Sequence, residues 1–79
     1  MILNLKYFGR IVEITNLTEE QYNAGESMSL NELRTWLINR YTDLEKESFQ
    51  IAVNQELKSN DFLIKGDCEV AILPPFAGG

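Results

Sequence analysis

The chain has 79 residues, 44% of them hydrophobic, with twelve acidic against seven basic side chains and a formal charge of −5. That length makes one small domain, and the acidic balance argues against a nucleic-acid backbone or an anionic membrane surface as its partner. The single cysteine, Cys68, excludes an internal disulfide and fits a reducing compartment such as the cytoplasm, while the absence of histidine removes the usual zinc spacings, so no resident metal is expected.

Leu3, Leu5 and Tyr7 alternate with Asn4 and Lys6, which predicts a strand from Ile2 to Phe8 with one buried face. The same stretch lacks a basic region followed by a long apolar run, so it reads as a strand and not as a signal peptide. No segment of the chain is long and apolar enough to span a bilayer. Gly9 ends the first strand. The apolar residues of Arg10 to Thr15 fit either a short helical turn or a continued strand, and the sequence leaves that choice open. A weaker, polar strand is expected around Thr18 to Tyr22, followed by the turn residues Asn23-Ala24-Gly25-Glu26.

Ser29 followed by Glu32 has the spacing of a capping box, so a helix starts there, with Met28 and Leu33 placed as a hydrophobic staple. Leu30, Leu33, Leu37 and Tyr41 continue one apolar stripe that Trp36 and Ile38 broaden. Trp36 is expected to pack in the core or at its edge. Phe49, Ile51 and Val53 alternate with Gln50 and Ala52 in a further strand that ends at Asn54-Gln55-Glu56, and Leu57 starts a short fourth. The apolar run Phe62-Leu63-Ile64 lies between turn residues. In the last strand Cys68, Val70 and Ile72 alternate with Glu69, Ala71 and Leu73, which assigns Cys68 a packing role and not that of a nucleophile.

This order predicts an α+β fold, a mixed sheet of four to five strands packed on one main helix, with the first and last strands side by side at its centre. Residues 1–73 form the domain and 74–79 an extended tail. Pro74 and Pro75 remove two ladder donors and fix φ, so the chain must leave the sheet and run stiffly outward. Gly78 and Gly79 lack Cβ atoms and can lie in a narrow channel of a partner enzyme, where the Gly79 carboxylate becomes reachable. Roughly one chain in two hundred would end Gly-Gly by chance, so the pair alone does not decide the function.

Taken together with Val53-Asn54-Gln55-Glu56, Lys65-Gly66-Asp67 and the strand order, the ending Pro74-Pro75 to Gly78-Gly79 resembles the MoaD-type sulfur carriers of the ubiquitin-like MoaD/ThiS family, small subunits of molybdopterin synthase. The resemblance spans nearly all 79 residues. It implies a β-grasp fold in which Gly79 is adenylated by an E1-like enzyme that uses ATP and Mg²⁺, then thiocarboxylated with sulfur from a sulfurtransferase. The carrier itself would hold no cofactor stably and would not be an enzyme alone. Its tail, Pro74, Pro75, Phe76, Ala77 and Gly78, would insert into the large synthase subunit of a heterotetramer, where sulfur passes to cyclic pyranopterin monophosphate for molybdenum cofactor biosynthesis. Phe8, Arg10, Ile11 and Phe76 are the implied partner surface, although Phe8 and Ile11 fit the core as well, and Phe76 either anchors in the partner or folds onto its own domain. Two positions depart from the family pattern: Val12 stands where a basic residue is common, leaving Arg10 to supply the charge, and Phe76 replaces a smaller aliphatic residue. The competing readings are a sulfur carrier for thiamine thiazole synthesis, a ubiquitin-like protein modifier, and a non-catalytic interaction domain.

Overall fold

The computed structural model describes residues 1–75. The alternating N-terminus forms strand β1 (Ile2–Tyr7), with Leu3, Leu5 and Tyr7 buried and Asn4 exposed between them. The segment that the sequence left open is a short helix, α1 (Arg10–Thr15), because the backbone reverses at Gly9 and cannot continue as a strand. Asn16 ends α1 in the left-handed region at φ 62°, and its N–H donates to Val12 O at 2.8 Å, the αL ending that Asn tolerates better than most residues. Strand β2 (Glu19–Asn23) then runs back antiparallel to β1.

The capping box forms as the spacing predicts. A two-residue strand, β3 (Met28–Ser29), leads into the main helix α2 (Leu30–Arg40). At its start the Glu32 N–H donates to Ser29 Oγ at 3.1 Å and the Ser29 N–H to Glu32 Oε1 at 3.0 Å. That backbone donor holds the Glu32 carboxyl below its ordinary range. Leu30, Leu33 and Leu37 are buried along one face of α2, and Met28 packs against the same cluster. Trp36 lies at the core edge, stacked on Tyr22 of β2 with ring centroids 4.0 Å apart. A 3₁₀ helix at Thr42–Lys46 buries Leu44 and returns the chain to the sheet.

Strands β4 (Gln50–Val53) and β5 (Glu56–Leu57) form a hairpin whose two central residues, Asn54 at φ 48° and Gln55 at φ 70°, follow the type I′ pattern. Strand β6 (Leu63–Ile64), from the apolar run between turns, pairs with β3 in a separate two-stranded ribbon that the sequence reading did not contain. Finally β7 (Cys68–Leu73) enters the main sheet between β1 and β4, parallel to the first and antiparallel to the second. The five-stranded order is β2-β1-β7-β4-β5, with the first and last strands of the sheet paired near its centre as expected. Register sets Leu5 beside Val70 and Val53, and Tyr7 beside Ile72 and Ile51, on the face that buries α2. Alternation fails at Ala52, which falls on the outer face yet is buried, because its methyl is too short to emerge between its register neighbours Leu57 and Ala71.

Candidate functional site

Strand β7 stops at Leu73, and Pro74 and Pro75 carry the chain out of the ladder. Neither proline has an N–H, so neither β1 nor β4 can hold the chain further by sheet pairing. On one flank the Phe8 N–H donates to Ile72 O at 3.3 Å, just beyond the end of β1. On the other, Gln50 opens β4 as the register partner of Leu73. The tail therefore departs between two strand ends, at one end of the central pair of the sheet.

A tight turn supports this departure point. The Ile11 N–H donates to Phe8 O at 3.0 Å, and Gly9 between them has φ 55° and ψ −131°. These are the angles of the first central residue of a type II′ turn, a position that side chains of L-residues resist. A Cβ placed on Gly9 would stand 3.2 Å from Pro74 Cγ, so the turn and the proline ring are in close packing.

The residues assigned to a partner surface separate here. Phe8 is 44% exposed beside the exit, whereas Ile11 is 1% exposed and belongs to the core cluster, so Phe8 alone of that pair is presented. Arg10 is exposed, with its Nε donating to Glu47 Oε1 and its Nη1 3.8 Å from Glu13 Oε2. The Glu47 hydrogen bond, reinforced by that carboxylate's charge, raises the Arg10 pKa further. Val12 packs against the core instead of offering a charge, which leaves Arg10 as the cation of this segment. Phe76, Ala77, Gly78 and Gly79 lie outside the described residues.

Two residues at the exit were not singled out from the sequence. In the sequence Gly9 marks only the end of a strand, although a glycine between an apolar strand and an ambiguous segment is itself a signal of positive φ. The alternation makes Gln50 an outward position, yet its Oε1 is buried with no hydrogen-bond donor among the described residues. No single-residue pattern announces that.

The chemistry at the exit is that of presentation. Among the described residues, its flanks offer an ion-paired arginine, a carboxamide and apolar side chains, with no nucleophile set beside a base. Cys68 starts β7 at the opposite end, in register with Leu3 and packed against the core. Burial, with the Asp67 charge beside it, pushes its thiol above the ordinary 9.0, away from the thiolate that sulfur chemistry needs. The outer sheet face carries a shallow concavity of about 540 Å³ lined by Asn4, Lys6, Glu19, Glu20, Gln21 and Glu69. Its polar groups largely satisfy one another, with Gln21 Nε2 donating to Asn4 Oδ1 at 3.0 Å and Lys6 Nζ 3.8 Å from Glu69 Oε2.

Comparison with solved structures agrees with this architecture. A protein from Pyrococcus furiosus described as molybdopterin converting factor, subunit 1 superposes with a TM-score of 0.87 at 23% identity, over 96% of this chain and 99% of its own. The SAMP1 protein of Haloferax volcanii gives 0.80 at 16% identity over the full length of both chains. A chain from the complex of subunits 1 and 2 of the molybdopterin-converting factor of Helicobacter pylori gives 0.69 at 26% identity, again over both full lengths. The fold is thus the ubiquitin-like β-grasp. The ThiS family model matches residues 5–79, nearly the whole sequence, and the chain therefore belongs to the ThiS family, the ubiquitin-like sulfur carriers of the MoaD and ThiS kind.

Proposed function

We propose that this chain is the sulfur-carrying small subunit of a molybdopterin synthase and that the Gly79 carboxylate is its carrier group. The observation that supports this most directly is the tail root: in a family of sulfur carriers, a proline-led extension leaves the central strand beside an exposed Phe8, with no catalytic pair at its base among the described residues. The choice of branch rests on the Pro74-Pro75 ending and on the Helicobacter pylori relative, whose structure is a complex of subunits 1 and 2 of a molybdopterin-converting factor. The partner for this chain is accordingly a large synthase subunit.

In this reading the partners perform the bond chemistry. A terminal carboxyl with a pKa near roughly 3.5 is an anion at neutral pH and resists nucleophiles. An E1-like enzyme with ATP and Mg²⁺ lets a Gly79 carboxylate oxygen attack the α-phosphorus, expelling pyrophosphate and leaving an acyl-adenylate. The persulfide of a sulfurtransferase then attacks the acyl carbon and AMP departs, and a second thiol cleaves the resulting acyl disulfide, forming a new disulfide with the sulfurtransferase thiol and leaving Gly79 as a thiocarboxylate. The large subunit receives the charged tail and directs its sulfur to cyclic pyranopterin monophosphate, after which the carboxylate returns. Two such cycles complete the dithiolene. The chain's own contribution is to hold the tail extended, with the prolines reducing the ordering entropy of insertion.

The test incubates the chain with the purified adenylating enzyme, ATP, Mg²⁺ and sulfide and measures intact mass for the exchange of one oxygen by sulfur. The charged product is then supplied to the large subunit with the pyranopterin, and molybdopterin is assayed. Formation of both products is expected. Sulfur delivered only to a thiazole synthase would move the chain to the thiamine branch, and stable conjugates on target lysines under reducing conditions would make it a modifier.

A further inference from the structure

We infer that Gly9 is a positioning residue for the tail: the type II′ turn at Phe8–Ile11 acts as a seat for the Pro74 ring and fixes the direction in which the chain leaves the sheet. This deepens the functional reading above and rests on it only for its kinetic consequence; the direction itself is a property of the fold.

Three observations meet at this point. The turn is closed by the 3.0 Å bond from the Ile11 N–H to Phe8 O, and Ile11 is buried, so the seat is tied to the core. The Phe8 N–H, bonded to Ile72 O at 3.3 Å, holds the same turn against β7 just before the prolines. Pro74 Cγ then lies 3.2 Å from where a Cβ on Gly9 would stand, and Pro74 Cδ 3.8 Å from it. Beyond Ile72 and Leu73 no backbone donor is available from either proline, so ladder bonds cannot aim the chain. Ring packing on a bare Cα takes over that task. Because Pro74 precedes Pro75, its own backbone is confined to extended angles, and the direction set at Pro74 is transmitted outward instead of being lost at the next bond.

An L-side chain at position 9 acts in two separable ways. It strains the turn, since φ 55° is unfavourable to it, and it displaces the Pro74 ring. Replacing Gly9 by D-alanine, which is compatible with positive φ and directs its methyl away from the position occupied by an L-Cβ, spares the seat. Pro74→Ala removes the ring and leaves the turn intact.

The experiment places a spin label at Ala77→Cys in a Cys68→Ser background and maps paramagnetic broadening onto the backbone amides of β1 and β4. The chains compared are the labelled parent, Gly9→Ala, the chemically synthesised D-alanine chain, Pro74→Ala and the Gly9→Ala, Pro74→Ala double variant. The parent and the D-alanine chain should share one pattern. Gly9→Ala and Pro74→Ala should each change it, and the double variant should match Pro74→Ala. With the native terminus restored, thiocarboxylation of Gly9→Ala should fall in kcat/KM by roughly ten- to a hundredfold, the scale that misplacing a reacting group by about 1 Å produces. If Gly9→Ala does not fold, Pro74→Ala and the D-alanine chain decide the matter alone. An unchanged broadening pattern in Pro74→Ala, or in a folded Gly9→Ala, overturns the inference. Failure of the parent itself to become thiocarboxylated overturns the functional reading, while the broadening maps still judge the turn.

Discussion

At the scale of single residues, Glu20 is the polar centre of the molecule. The hydroxyls of Tyr7 and Tyr41 both donate to its Oε1, and Arg40 Nη2 stands 3.4 Å from its Oε2, so one carboxylate ties β1, β2 and the end of α2 together. A buried phenol donating to a charged acceptor contributes on the order of 1.5–3 kcal/mol. Tyr7→Phe should therefore lower stability by about 2 kcal/mol at neutral pH, measured by urea denaturation. Burial first, and the Glu20 hydrogen bond second, raise the Tyr7 pKa far above its ordinary 10.0. A raised pKa means that the folded state keeps a proton the unfolded chain gives up. The contribution is thus complete below pH 10.0 and is lost progressively as pH rises above it. The parent should lose stability more steeply than Tyr7→Phe in that alkaline range, and equal slopes in the two proteins would contradict the assignment.

At the scale of elements, two short motifs invite opposite substitutions. Ser29→Ala removes the capping hydroxyl of α2 and should cost about 1 kcal/mol, read from the urea midpoint. The Ser29 N–H first and the Ser29 hydroxyl second lower the Glu32 pKa; the hydroxyl's share is lost in Ser29→Ala and fades in the parent as pH falls through the carboxylate range, so the difference between the two should shrink in acid. Gln55 is the converse case. It sits at φ 70° in the β4–β5 hairpin, where an L-residue costs about 1–2 kcal/mol and glycine does not. After the greater freedom of glycine in the unfolded chain is subtracted, Gln55→Gly should raise stability by about 0.5 kcal/mol. A lower thermal midpoint for that variant would refute the I′ geometry.

These elements also mark what the sequence could convey. Strands with one buried face declared themselves through Leu3-Leu5-Tyr7 and Cys68-Val70-Ile72, and the helix through Ser29, Glu32 and its leucine stripe, because each signal is local and periodic. The helix at Arg10–Thr15 did not, since six residues with apolar positions compatible with both periods carry no decision. The β3–β6 ribbon and the Glu20 network stayed hidden because their partners come from distant parts of the chain. At the candidate site, Pro74 and Pro75 announced the exit, whereas the role of Gly9 beneath them depends on a three-dimensional approach that no spacing encodes.

At the scale of the whole molecule, the domain and its tail are divided by the end of β7 at Leu73. The described core draws on β1, α1, α2, β4, β6 and β7, together with Leu44 and Phe49. Gly78 and Gly79 have no side chain to bury, so deleting them should leave the unfolding free energy within about 0.5 kcal/mol of the parent while abolishing thiocarboxylate formation, a separation checked by urea denaturation and intact mass on the same preparation. Loss of both together would mean that the glycines belong to the fold.

The parallel pairing of β1 with β7 reaches beyond the finished structure to its assembly. Leu3 opposes Cys68 and Tyr7 opposes Ile72, so the strand that completes the sheet centre is separated from its partner by most of the polypeptide. Such non-local closure places folding among slower, high-contact-order reactions. A nascent chain halted before Cys68 has β1 and β4 but lacks the strand that pairs with both, and it should be more open to proteases than the whole chain. The tail root follows β7 in the chain, so the Gly9 turn and the Pro74 ring come together only once that distant pairing has closed.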